Sequence, residues 1–199
     1  LFNGILEGME SPEPSLFSIF APEHKKHFIV NDAWPKLAGL ALNSRAFPSL
    51  RFNPKEESKF LSSAIHLGAN PDANENWYSE TLTYSEGEEE HSFNYAITWA
   101  DWAYTIREWK SHFSDYKKEN GAALPVSDYI ALDEDARNGN VPVIIRAKEG
   151  NLERYAISKQ AVTACEVMLT AWNTWRELAG TLSEFPEKLK KKVTAELSL

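Results

Sequence analysis

Residues 141–158, VPVIIRAKEGNLERYAIS, set the architecture expected of this chain. Two β-like arms flank Glu149-Gly150-Asn151, and a Gly-containing turn between such arms reads as a β-hairpin. The second arm runs straight into Ser158, a residue that caps helices through its hydroxyl. Beyond it Val162, Cys165, Met168, Trp172 and Trp175 recur at helical spacing, and Gly180 stands where a helix ends in a left-handed residue.

The same order of signals occurs earlier in the chain. TLTYSEGEEEHSFNYAI, residues 81–97, places Leu82 and Tyr84 on one side of an acidic tip and Phe93, Tyr95 and Ile97 on the other, again a hairpin. Thr98 with Asp101 three residues on resembles a capping box with Asp in place of Glu or Gln. Trp99, Trp102, Ile106, Trp109, Phe113 and Tyr116 then alternate steps of three and four, which predicts a long helix. Both helices start from one grammar, Tyr95-Ala96-Ile97-Thr98 and Tyr155-Ala156-Ile157-Ser158. It reads as shared strand-to-helix chemistry, with an internal duplication as the alternative. In each, the Ile before the cap can staple to the fourth helical residue, Trp102 or Val162.

Toward the N-terminus the pattern changes. A short helix from Phe2 to Met9 precedes a turn marked by Pro12 and Pro14. SLFSIFAP, residues 15–22, carries consecutive apolar pairs broken only by Ser18, the habit of a strand covered on both faces of a mostly parallel sheet. Asn31 or Asp32 can cap a helix with Pro35 in its first turn and Trp34, Leu37, Ala38, Ala41 and Leu42 along one face. Residues 49–54, SLRFNP, then read as a short strand. Strand, helix, strand is the arithmetic of a crossover unit. Residues 55–80 are polar and punctuated, with LGANPDANENW as a surface loop. VSDYIALDEDARNG suggests a short helix after Asp133 that stops at Gly139. The tail after Gly180 has Ser183 as a cap and Phe185, Leu189, Val193 and Leu197 along one side of an amphipathic helix. Lys188 and Lys190 to Lys192 would form its solvated face or a short docking strip.

Bulk properties bound the function. The 199 residues are 43% hydrophobic and 12% aromatic, with seven tryptophans, enough for a packed core. A formal charge of −8 disfavours nonspecific nucleic-acid binding, which needs a basic surface. No apolar run reaches the roughly 18–20 residues of a membrane span, and no basic stretch precedes an apolar run as in a signal peptide. A single cysteine excludes an intrachain disulfide framework and suits a cytoplasmic setting. The first residue is Leu1, and we expect a piece excised from a longer polypeptide.

Few residues offer chemistry. The cluster Glu23-His24-Lys25-Lys26-His27 follows the carboxyl end of the expected strand, where open α/β sheets bind ligands. His24, Lys25, Lys26 and His27 are therefore the candidate cofactor-binding residues, against a solvated basic loop as the plain alternative. Two lysines between the histidines, with no third ligand at a recognisable spacing, argue against zinc. Asp72, Asn74 and Asn76 mimic the opening of a calcium loop. Trp77 stands at the sixth position and Thr83 at the twelfth, where glycine and glutamate belong, so a turn-rich loop is expected. The acidic tip at 86–90 would bind cations only weakly. Cys165 sits on an apolar stripe with nothing in sequence to activate it. His66 and His112 are isolated, and the tryptophan seams read as core rather than a stacking platform. Phosphate loops, dinucleotide fingerprints, nucleophile elbows and paired CxxC motifs are missing from the sequence. No catalytic residue and no metal ligand is assigned.

Taken in order, the phrases SLFSIFAPEHKKH, ALNSRAFPSLRFNP, GANPDANENW, ITWADWAYT, SHF, YIALDEDARNGNVPVII and ACEVMLTAWNTWRELAG resemble the C-terminal region of pyruvate:ferredoxin/flavodoxin oxidoreductase-like proteins, from the end of their thiamine-diphosphate domain onward. The resemblance covers most of residues 1–180, and its phrases are structural rather than catalytic. It implies a parent that oxidatively decarboxylates a 2-oxoacid with thiamine diphosphate, passes electrons to iron–sulfur clusters and forms acyl-coenzyme A. The family's Gly-Asp-Gly motif and cluster cysteines would lie upstream, so no cofactor is expected in this piece.

The expected fold class is α+β. Residues 1–54 would end an α/β domain of thiamine-diphosphate type. Residues 55–80 would be a linker, 81–180 a C-terminal α+β region of two hairpin–helix units, and 181–199 an amphipathic helix. The expected role is noncatalytic, packing against the rest of the parent polypeptide or a second subunit, with homo-oligomers possible and neither nucleic acid nor membrane as partner. The alternatives are an independent interaction domain using its Trp-rich helices, and a small ligand-binding enzyme centred on His24 and His27.

Overall fold

A computed structural model describes residues 2–23, 33–54, 61–87 and 89–182. The chain is α+β. Its central element is a four-stranded sheet in the order β5-β8-β7-β6. Strands β7 (Asn140–Lys148) and β8 (Asn151–Ile157) form the hairpin expected from residues 141–158, paired from Val143 opposite Ala156 to Lys148 opposite Asn151. Glu149 and Gly150 close it with φ of 50° and 79°. That pair of left-handed residues matches the right-handed twist of the arms. Strand β5 (Phe113–Asp115) pairs antiparallel with β8.

Strand β6 (Ala122–Pro125) lies parallel to β7 and reaches it through α5 (Val126–Ala131) and a 3₁₀ turn at Glu134–Arg137. Among the described residues the parallel crossover is thus here, not at residues 15–54. The 3₁₀ turn after Asp133 is where sequence placed a short helix; α5 before it was not foreseen. Gly121 precedes β6 with φ of 128°, and a Cβ there would sit 2.5 Å from the Gly139 carbonyl oxygen. Backbone on both sides leaves neither group room to move. Gly121→Ala should therefore destabilise the fold by about 1–3 kcal/mol, measurable as a lower urea midpoint with unchanged slope.

Period-two alternation assigns the sheet's two faces. Ile144 and Ile157 pack with Val126, Trp99, Ala100, Ala103, Ala161, Val162 and Cys165 on one side. This is the face covered by α4 (Trp99–Ala103), α5 and α6 (Lys159–Leu178). Val143 and Ile145 point the other way, toward Tyr95 and Ile97. These belong to the hairpin of β3 (Tyr78–Glu86) and β4 (Glu89–Ile97), paired in register from Tyr78–Ile97 to Glu86–Glu89. The two hairpin tips touch where Ser85 N–H donates to the Gly150 carbonyl at 2.7 Å.

Both caps read from sequence form. Asp101 and Thr98 make a reciprocal capping box on α4, and the Ser158 hydroxyl accepts from Ala161 N–H at the start of α6. At the other end Gly180 (φ 73°) completes a Schellman motif, with Thr181 N–H on the Arg176 carbonyl and Gly180 N–H on that of Glu177.

Two expectations are corrected. The long helix from Thr98 to Tyr116 stops at Ala103 and gives way to a 3₁₀ segment, Arg107–His112, and then to β5. In one continuous helix Trp99 and Trp109 would lie about 15 Å apart. Their rings instead meet edge-to-face at 4.7 Å, so the chain folds back and the aromatic stripe packs on itself. The first hairpin–helix unit therefore has a short helix.

The second correction concerns residues 15–22, which join no strand ladder among the described residues. Strand β1 (Arg51–Phe52) pairs antiparallel with β2 (Ile65–His66), so it is not the far strand of a parallel crossover with SLFSIFAP. Between these regions α2 (Trp34–Asn43) has Ala33 at its cap position and Pro35 in its first turn, and packs on α4 and, through Leu40, on the second core cluster. Asn31 and Asp32, the expected caps, lie outside the described residues. So does the expected tail helix with Phe185, Leu189, Val193 and Leu197.

Candidate functional site

Three constellations of polar or exposed groups stand out from the core. The first is a buried carboxylate. Tyr95 at the end of β4 donates its hydroxyl to Asp101 Oδ1 at 3.0 Å, and Thr98 donates its N–H and Oγ1–H to Oδ2 at 2.7 and 3.0 Å. The Tyr95 oxygen in turn accepts from Ile145 N–H of β7 at 3.2 Å. One carboxylate thereby ties the hairpin, the start of α4 and the central sheet together. Burial pushes Asp101 up to about 6, although the three donors and the charge of Arg146 pull it back. Burial also holds the Tyr95 phenol well above its ordinary value. Cys165 lies beside this network, and burial pushes its thiol up to about 12. At neutral pH it is a packed thiol without nucleophilic character.

The second constellation is an arginine clamp on the loop between β2 and β3. Arg45 follows α2 with φ of 60°, a position at which glycine is the usual residue. Its side chain is wholly buried. Nη2 donates to the Asp72 carbonyl at 2.9 Å, and the guanidinium lies 4.4 Å from the centroid of Trp172. Arg176, one turn beyond Trp172 on α6, donates to Asn76 Oδ1 at 2.9 Å and to the Asn74 carbonyl. Trp172 Nε1–H donates to the Glu75 carbonyl at 2.9 Å. Burial lowers Arg45 to about 10 and also lowers Arg176.

Asp72, Asn74 and Asn76, the residues that mimic a calcium loop, therefore turn their oxygens to two guanidinium groups. No sequence spacing joins Arg45 and Arg176 to that loop, and both were missed. The only legible hint was Arg176 four residues beyond Trp172, on the buried side of α6. Arg45 Nε and Nη1 and Arg176 Nε are buried with no acceptor among the described residues. Each atom is closed off from solvent, so this is a structural clamp rather than an anion pocket.

The third lies on the open part of the sheet face beyond α4. Lys110 Nζ and the Arg146 guanidinium lie 3.8 and 4.9 Å from the centroid of the Tyr104 ring, which packs against Tyr155 at 4.8 Å. Tyr155 donates to Glu153 Oε2 at 2.7 Å. Burial would raise the Tyr104 phenol, but the neighbouring Tyr155 hydroxyl and the charges of Lys110 and Arg146 outweigh it and lower its pKa. This is an exposed cation–aromatic stack without an enclosing cleft. Two open clefts, of about 410 and 390 Å³, lie elsewhere, one along the outer side of α6 and one beside Arg176 and Trp77.

Uncovered apolar groups concentrate at the N-terminal side. Helix α1 (Phe2–Glu10) buries no residue, and Glu7 reaches Arg51 at 2.9 Å. The ring of Phe17 closes on Gly8, where a Cβ would come within 2.5 Å of it. Phe20 lies 5.6 Å from Phe47 and 6.3 Å from Trp102, ring to ring. These contacts tether Phe17 and Phe20 to the body, while Leu16 and Ile19 stay outward, 95% and 57% exposed.

His24, Lys25, Lys26 and His27 lie outside the described residues. His112 Nδ1 shares a 2.8 Å hydrogen bond with the Ser158 hydroxyl, which makes it a partner of the α6 cap. Of the tryptophans expected in the seams, Trp99 and Trp172 are buried and Trp175 is at the surface. No group of three or more His, Cys, Asp or Glu residues that could hold a metal ion occurs among the described residues. Nor is any helix among them long and apolar enough to cross a membrane. No family model, curated protein or solved structure matches this chain.

Proposed function

We propose that this chain is a noncatalytic packing module, the C-terminal portion of a thiamine-diphosphate-dependent 2-oxoacid oxidoreductase-like protein of the pyruvate:ferredoxin/flavodoxin type. The observation that carries the packing role is the segment 15–20, apolar, outside any strand ladder among the described residues and uncovered at Leu16 and Ile19. Water around two large aliphatic side chains is unfavourable by roughly 1.5–3 kcal/mol each relative to burial. In this reading SLFSIFAP is the outer strand of a sheet supplied by the parent, and α1 and the Phe47–Phe52 region border the same contact.

The resemblance of the ordered phrases supplies the parent's chemistry. Thiamine diphosphate and iron–sulfur clusters belong to other parts of it. The residues here do not fit a cluster, because the one cysteine is Cys165, shut inside the core with its thiol held protonated. The module's work is then mechanical: its hairpin–helix body presents the uncovered residues 15–20 to the parent. Sequencing the natural reading frame ahead of Leu1 tests the assignment. A Gly-Asp-Gly diphosphate motif followed by the remaining strands of an α/β domain is expected, and a frame lacking them overturns it.

A further inference from the structure

Among the described residues Tyr104 and Tyr155 are the one pair of tyrosines whose rings meet, with centroids 4.8 Å apart and planes inclined by 42°. Both rings are half-buried. Tyr104 follows α4, held by its N–H on the Ala100 carbonyl at 2.9 Å, and Phe113 closes edge-on against it at 5.2 Å. Tyr155 is fixed inside the sheet, opposite Ile144 on β7 and Asp115 on β5. Two phenols from distant segments are thus held face to face by helix and sheet backbone. The Tyr104 hydroxyl is the main cause of the raised pKa of Tyr155, ahead of Glu153, so the hydroxyl-bearing edges of the rings lie together. Other tyrosines are engaged elsewhere. The Tyr95 and Tyr116 hydroxyls donate to Asp101 and to the Gly121 carbonyl, and Tyr84 rests on His91 and Phe93.

We propose that this pair is an oxidative cross-linking site, at which a one-electron oxidant of the peroxidase and hydrogen peroxide class joins Tyr104 to Tyr155 through ring carbons ortho to their hydroxyls. Each phenol gives one electron to the oxidant and its hydroxyl proton to a base. For Tyr155 the base is in place, since its hydroxyl donates to Glu153 Oε2 at 2.7 Å. For Tyr104, Lys110 Nζ at 3.8 Å and the Arg146 guanidinium at 4.9 Å from the ring centroid favour loss of the proton to water. The unpaired electron of each phenoxyl radical is shared between the oxygen and the ortho carbons. One Cε–Cε bond forms, and the hydrogens on those carbons move to the oxygens and restore two phenols. In sum two electrons and two protons leave the protein, and one hydrogen peroxide becomes two waters. Because its partner is already held in contact, each radical couples within the chain rather than with another copy. The Cys165 thiol, otherwise a ready target of peroxide, is buried and held protonated. The bond staples the segment after α4 to β8, independently of the packing role.

The test treats the full chain with a haem peroxidase and hydrogen peroxide, followed by dityrosine fluorescence and mass mapping of proteolytic peptides. The expected product is a peptide pair joined at Tyr104 and Tyr155, lighter by two hydrogen atoms, with a yield that does not change as the protein is diluted. Tyr104→Phe and Tyr155→Phe keep the ring packing and should each lower dityrosine within the chain about tenfold, because the held partner is lost. Tyr84→Phe should leave it unchanged. Unfolding in urea before oxidation should remove the Tyr104–Tyr155 link, a result that depends on no variant. The linked chain should also unfold at a higher urea concentration than the unlinked one, since the bond closes a long loop. Dityrosine formed between chains in proportion to protein concentration, a link mapped to other tyrosines, or an undiminished yield from Tyr155→Phe would overturn the proposal.

Discussion

Trp172→Ala is expected to lower stability by about 3–5 kcal/mol, the range for removing a large aromatic from a packed core. The side chain is 1% exposed and sits between Ile65, Leu67 and the Arg45 guanidinium, so little can collapse into the space it leaves. Its loss also strips the Glu75 carbonyl of its donor and leaves a buried cation without its aromatic partner. The melting temperature should fall by roughly 10 °C, taking 2–4 °C per kcal/mol for a chain of this size. Trp172→Phe keeps most of the apolar contact and the face under Arg45, and should recover more than half of the loss. Thermal unfolding of the two variants checks this, and equal melting temperatures for wild type and Trp172→Ala would refute the clamp.

Asp101 should give the chain an unusual pH dependence. Its native pKa, about 6, lies above the 3.8 of an unperturbed aspartate. Between those values the native state binds more protons than the unfolded state, so stability rises as pH falls and is lost as pH climbs through 4 to 6. Integrated from pH 7 to pH 4 the contribution is about 2 kcal/mol, toward a limit of about 3 kcal/mol at lower pH. Glu153 opposes it weakly. Its pKa is depressed by the hydrogen bond from Tyr155, so its contribution fades as pH falls. Asp101→Asn cannot titrate, and its stability should be nearly flat over the same window. Asp101→Ala leaves Thr98 N–H and the Tyr95 hydroxyl buried without an acceptor and should cost about 2–4 kcal/mol at pH 7. Urea titrations at pH 4, 5.5 and 7 separate these outcomes.

Much of the central architecture was legible because it depends on neighbours in sequence. The Glu149-Gly150 turn, the Thr98–Asp101 box, the Ser158 cap and the Gly180 terminus each rest on chemistry within a few residues. The long helix after Thr98 was misread because steps of three and four through Trp99, Trp102 and Trp109 fit a helical stripe and a folded-back aromatic cluster equally well. Only the pairing of Phe113 with Ile157, a contact between distant parts of the chain, decides for the latter. The arginine clamp was illegible for the same reason, since Arg45, Asp72 and Arg176 meet only after the loop is folded over α6. SLFSIFAP has the composition of a covered strand, and composition alone does not place it in a ladder; among the described residues it joins none.

That last point can be measured by amide hydrogen exchange across residues 15–20, in this chain alone and within the intact natural polypeptide. Packing against a parent sheet predicts amides that exchange within seconds in the isolated chain and are protected by several orders of magnitude in the intact protein, while β7 and β8 are protected in both. Equal and rapid exchange of residues 15–20 in both would contradict the packing role.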